Sequence, residues 1–139
     1  VNEIVSNKAQ ISMEYLVIVG FVAVLVIPMI IIFYTYAGRT EDQIVSNQLQ
    51  KIGLKIGDSA EAMYYLGDPS RTRMRAYFPK NIDTVTIGNN EIVFIVRTKQ
   101  GLDHIVIYSS VPVSGSLDTH SGYHNINVQS RGNYVEITD

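Results

Sequence analysis

"NKAQISMEYLVIVGFVAVLVIPMIIIFYTYAG", Asn7–Gly38, is the stretch whose reading decides the fold. From Tyr15 to Gly38 it carries no charged side chain, yet one carboxylate, Glu14, stands directly before the run. Twenty mostly apolar residues, Tyr15–Tyr34, make a helix of about 30 Å, enough to cross a bilayer's hydrocarbon layer. The apolar part of a secretory signal needs only about 7–15 residues, so this run is too long to be only that. Inside it Gly20 permits close approach of another helix. Pro28 lacks a backbone donor, which predicts a kink or local unwinding over 23–28.

Working outward, nothing but Gly38 weakens the helical pattern before Leu66. Val45, Leu49, Ile52, Ile56, Ala60 and Met63 recur at steps of three and four, an apolar stripe with Lys51, Lys55, Asp58 and Glu61 off it. The stop is "LGDP": Gly67 suits the position after a helix end, and Pro69 cannot continue one. One helix from near the N-terminus to Leu66, about 60 residues, would be roughly 90 Å long. A globular domain of this size cannot bury such a rod, so the first half needs an apolar environment from outside its own chain.

After about Arg71 the period changes from helical to alternating. "TVTIGNNEIVFIVRT" reads as two strands around Gly88-Asn89-Asn90, residues that tolerate the positive φ of a tight hairpin. "HIVIYSS", "YHNINVQ" and "YVEIT" are further short strands. The expected class is α+β: a long N-terminal helix, hydrophobic then amphipathic, packed on a small antiparallel sheet or sandwich of about six strands. The stripe Val45–Met63 is the lid for one sheet face. The segments are 1–9, a leader or N-terminal extension; 10–38, a hydrophobic assembly or transmembrane helix; 39–66, an amphipathic helix; and 67–139, a β-rich head.

Composition removes several function classes. The net charge is −2, and residues 67–139 carry seven charges of each sign, so no broad basic face for nucleic acid is implied. With no cysteine there are no disulfides or thiolate metal sites, and no Asn-x-Ser/Thr sequon occurs. His120 and His124 stand four apart near Asp118, but Ser121-Gly122 lies between them and breaks any helical face. Exposed loop histidines are therefore expected, and no metal site. Arg71, Arg73 and Arg75 alternate along an extended segment that ends in Tyr77. Such a row can grip a polyanion, form a solvated strand face, or pair with acids such as Glu61. "SSVPVSGS" could accept O-linked sugar. No nucleophile–base set and no phosphate-cradling loop are visible, so neither an enzyme nor a cofactor is expected.

"KAQISMEYL" resembles the processing and assembly signature of archaeal type IV pilins with a class III signal peptide. Gln10, Ser12, Glu14, Tyr15 and Leu16 match its Gln-x-Ser-x-Glu-Tyr-Leu pattern in order and spacing, directly before the apolar run. Lys8-Ala9 would end the leader, with alanine where the family usually has glycine. The resemblance implies a structural subunit of a helical filament. Before assembly it would sit in the cell membrane, cut after Ala9 by a prepilin peptidase and polymerised by an assembly ATPase and membrane platform. The head would be exposed for adhesion or cell contact, and the partners would be copies of the same chain. If Gln10 begins the mature chain, its α-amine, of pKa about 8, lies one helical turn from Glu14. Pairing with that amine, or with a neighbour's, offsets the cost of removing both charges from water and fixes an axial register. If residues 1–9 remain, Lys8 of a neighbour takes that place. Gly20 and Pro28 complete the expected assembly set. The alternative function is a single-pass membrane anchor carrying an extracellular ligand- or partner-binding domain.

Overall fold

The structure, a computed structural model, describes residues Asn2–Asp139, with side chains from Ser12 onward. The chain divides into two compact units, Val1–Thr40 and Glu41–Asp139. One helix, α1 (Asn2–Leu66), supplies the described residues of the first unit and opens the second. Its helical backbone continues through Pro28, so the unwinding expected over 23–28 does not occur. One missing donor costs about 3 kcal/mol, and the intact hydrogen bonds of the flanking turns outweigh it.

In the second unit the expected stripe is the packing face of the helix. Leu49, Ile56 and Ala60 are fully buried, and Val45, Ile52 and Met63 pack against the same core. Gly67, at φ 77°, ends the helix as "LGDP" foretold; its N–H bonds to the carbonyls of Met63 and Tyr64, both at 3.1 Å. Carbonyls that the helix leaves unpaired are thus satisfied.

Seven strands follow: β1 (Arg71–Phe78), β2 (Ile82–Gly88), β3 (Glu91–Thr98), β4 (Gly101–Tyr108), β5 (Val113–Ser116), β6 (Gly122–Ser130) and β7 (Val135–Thr138). They form a single sheet in the order β1-β6-β7-β5-β2-β3-β4. The expected α+β architecture is present, with one more strand than was read and one parallel pair in an otherwise antiparallel sheet. That extra strand is β5, inside the Ser-rich stretch, and it runs parallel to β7 with Val113 beside Val135 and Gly115 beside Ile137. Short, Ser- and Gly-rich β5 gives almost no periodic signal, and its pairing comes from the far end of the chain. Gly115, at φ 149°, has no room for a side chain: a Cβ there would lie 1.9 Å from the Ile137 carbonyl oxygen.

The hairpin between β2 and β3 turns at Asn89 and Asn90, at φ 52° and 63°, as two positive-φ turn residues require. Alternation does the rest. Met74, Ala76 and Phe78 of β1, Ile92, Phe94 and Val96 of β3, and Ile126 and Val128 of β6 are buried on the face that α1 covers. The intervening side chains lie on the open face.

Gly53 is the point of closest approach between helix and sheet. A Cβ placed there would meet Ile107 Cδ1 at 2.5 Å, Ile107 Cγ1 at 2.8 Å and Phe94 Cε2 at 3.2 Å. Gly57, one turn on, faces open space. Gly53→Val should therefore destabilise the head by about 1–3 kcal/mol through overpacking. Gly57→Ala should stabilise it by about 0.5–1 kcal/mol through helix propensity alone. Denaturant unfolding followed by circular dichroism checks both, and Ile107→Val should recover part of the Gly53→Val loss by removing the methyl that clashes.

Candidate functional site

Every assembly residue with a described side chain lies on α1. Ser12, Glu14, Tyr15, Leu16, Gly20 and Pro28 are all exposed within the chain. Lys8, Ala9 and Gln10 lie outside the residues whose side chains are described, so the partner expected for Glu14 does too. Among the described residues Glu14 makes no ion pair.

From Tyr15 to Tyr36, eighteen large apolar or aromatic side chains project into open space; even Val26, at the middle, is 43% exposed. They surround the helix rather than mark one face of it, the pattern of a helix buried on all sides in its working environment. By length and composition α1 holds a stretch able to cross a membrane, none of it covered by the chain itself. The aliphatic hydroxyl near its end, between Tyr34 and Tyr36, is masked locally: Thr35 Oγ1 donates to the Ile31 carbonyl at 2.9 Å. A hydrogen bond back into the helix leaves only the methyl to face the surroundings, as an apolar medium requires.

The head carries two polar constellations. His124 is not the exposed loop residue that was expected. It sits on β6 on the same face as Ile126 and Val128, with its side chain fully buried. Its ring stacks on Phe78 with centroids 4.1 Å apart, and His120 lies 4.1 Å away on the other side. Nδ1 meets the Asp139 carboxylate and Nε2 lies 2.8 Å from the His120 carbonyl oxygen. Each ring nitrogen therefore has a hydrogen-bond partner within the fold. Alternation from Tyr123 to Val128 was the signal for this inward placement, and the turn residues before it obscured that signal. His120 itself is exposed and bonds Asp118 at 2.9 Å. That bond, together with the Thr119 N–H, holds the Asp118 carboxyl below its ordinary value of 3.8. No group of three or more metal-ligating side chains occurs among the described residues.

The second constellation lies on the open face. Arg71, Arg73 and Arg75 project there from alternate positions of β1, all exposed. Sheet register sets Arg71 beside Gln129, which is beside Glu136, and Arg73 beside Asn127, which is beside Thr138. These two rows and Arg131 line a recess of about 680 Å³. Arg73 Nε donates to Asn127 Oδ1 at 2.8 Å. Arg131 forks onto Glu136, with its Nε at 2.8 Å, and the pairing raises the guanidinium pKa still further. Arg75 lies 4.1 Å over the Tyr123 ring, whose edge-to-face partner is Tyr77. Of the readings open for this row, pairing with Glu61 is not made within the chain among the described residues: Arg73 meets the Asn127 amide and Arg75 an aromatic face.

No family model, curated protein or solved structure matches this chain. Two outcomes follow from the histidine cluster. His124→Ala should lower head stability by about 2–5 kcal/mol, since it empties a buried aromatic site stacked on Phe78 and removes the ring's bonds to Asp139 and the His120 carbonyl; urea unfolding in detergent micelles measures it. Asp118 should titrate below 3.8 by NMR, and His120→Ala should raise that midpoint. Because the folded value is the depressed one, this pairing stabilises above the ordinary carboxylate range and is lost as pH falls through the depressed midpoint.

Proposed function

We propose that this chain is the structural subunit of an archaeal type IV pilus-like filament, polymerising through the apolar half of α1 with the head outermost. The observation that carries the proposal is the exposed apolar surface of 15–36, ringed on all sides and opened by Glu14 in the Gln10–Leu16 motif. Before assembly the segment resides in the cell membrane; in the fibre it packs among identical segments. Both environments are apolar, so the transfer gains little from dehydration, and close packing together with the Glu14 pairing supplies selectivity. Gly20, with nothing near its Cβ position, leaves space for a neighbouring helix. By resemblance, the accessory partners are a prepilin peptidase acting after Ala9, an assembly ATPase and a membrane platform.

Negative-stain microscopy of sheared surface material, with mass spectrometry of the recovered N-terminus, tests the proposal. Thin fibres of this polypeptide beginning at Gln10 are expected. Recovery only as lipid- or detergent-dispersed monomers would instead favour a single-pass anchor for a binding domain. Glu14→Ala should leave membrane insertion intact and reduce fibre yield at least tenfold, because an unpaired buried amine costs several kcal/mol. Wild-type yield in that variant would remove the role given to the carboxylate.

A further inference from the structure

We propose that the recess on the open face of the sheet binds an acidic polysaccharide through the carboxylates of its uronic-acid units. This goes beyond the filament reading: it gives the outermost head a ligand and does not rest on polymerisation. Three strands build the site as a grid: Arg71, Gln129 and Glu136 in one row, Arg73, Asn127 and Thr138 in the next. Strand neighbours stand about 4.8 Å apart and alternate residues about 6.8 Å apart. Such a grid presents cationic forks along one side and, facing them, amide and hydroxyl groups with Glu136, whose charge is paired by Arg131. Guanidinium forks match carboxylates, while amide and hydroxyl groups match sugar hydroxyls, which both donate and accept.

The arginines differ in whether their charge is already spoken for. Arg97 is paired with Asp83 at 2.7 Å, and Arg131 with Glu136. Arg71 and Arg73 make no ion pair among the described residues. The Arg73 bond to Asn127 uses only Nε, orienting the guanidinium and leaving both terminal nitrogens for a ligand. Two uncommitted forks one repeat apart on a rigid strand suit successive carboxylates on an extended ligand. Beyond the recess the same face continues through Arg75 to Tyr77, about 20 Å from Arg71, room for several sugar rings.

Other anions fit less well. The head's charges balance rather than sum to the basic field that a dense phosphate backbone draws on. The Tyr123 face is already covered by Arg75, which removes one platform on which a base would stack.

The test uses the full chain in detergent micelles, titrated calorimetrically with oligogalacturonate, oligoglucuronate, their methyl esters and oligo-dT. Expected are binding of a uronate oligomer, at least tenfold weaker binding of its ester, and about a hundredfold loss in R71A/R73A, tenfold per fork. R97A, whose arginine is already paired, should bind as wild type. N127D, which sets a carboxylate against Arg73 with little change in shape, should bind about tenfold more weakly and serves if the double variant misfolds. Four results overturn the proposal: no uronate binding, equal binding of the esters, tighter binding of oligo-dT, or wild-type affinity in both R71A/R73A and N127D. Fibre yield separates this from the filament reading. R71A/R73A should polymerise normally, whereas absence of wild-type fibres would sink polymerisation and leave the binding result standing.

Discussion

Eighteen large apolar side chains ring the first half of α1 with no cover from their own chain, and every other property of this protein is arranged around that constraint. Full burial of such a side chain stabilises by about 1.5–3 kcal/mol. Even discounted for partial exposure, leaving the whole set in water forfeits on the order of 25 kcal/mol, more than the 5–15 kcal/mol net stability of an ordinary domain. The helix therefore requires lipid or other protein around it. The charged residue at its mouth then acquires meaning from where the helix goes, since a carboxylate is cheap at an interface and expensive in an unpaired interior.

The head resolves the opposite problem within its own sequence. The same helix, carried on past residue 40, changes from apolar all round to apolar along one stripe, and one stripe is what a single sheet can cover. Contact is tightest where Gly53 omits a side chain above Ile107 and Phe94. Polar ties flank this packing on the sheet side of the helix: Ser46 donates to Asp103 at 3.3 Å, and the Lys99 N–H donates to Asp42 at 3.4 Å. These ties are exposed and contribute little energy individually. The buried stripe supplies the stability, and the ties set the helix's position along the strands.

A one-layer cover leaves the other sheet face free, and strand alternation decides what occupies it. Inward positions take Phe78, Phe94, Ile126 and their neighbours; outward positions take arginines, amides and tyrosines. Core and surface chemistry are thus written on the same strands at odd and even positions. His124 and Ser130 of β6 are the exceptions that alternation enforces; the His124 ring is kept on the inward side by stacking on Phe78 and by a polar partner at each nitrogen.

The sequence alone determined what depends on local pattern. An unbroken apolar run announced the membrane-length segment, steps of three and four announced the helix face at Val45–Met63, Gly67 announced its end, and Asn89-Asn90 announced a hairpin. It also gave the open-face row Arg71, Arg73 and Arg75, because alternation on a strand needs no partner to be read. Tertiary structure alone decided everything that required two distant segments to meet. β5 is a strand because β7 and β2 lie on either side of it, and a side chain at Gly115 would clash with the Ile137 carbonyl that this pairing brings close. The recess exists because register brings Arg73, Asn127 and Thr138, far apart in the chain, into one row. His124 is buried because Phe78 and Asp139 converge on it. Periodicity reports which way a side chain faces along its own element; which neighbours it finds there is set by strand order and register, and those are fixed only when the whole sheet closes on the helix.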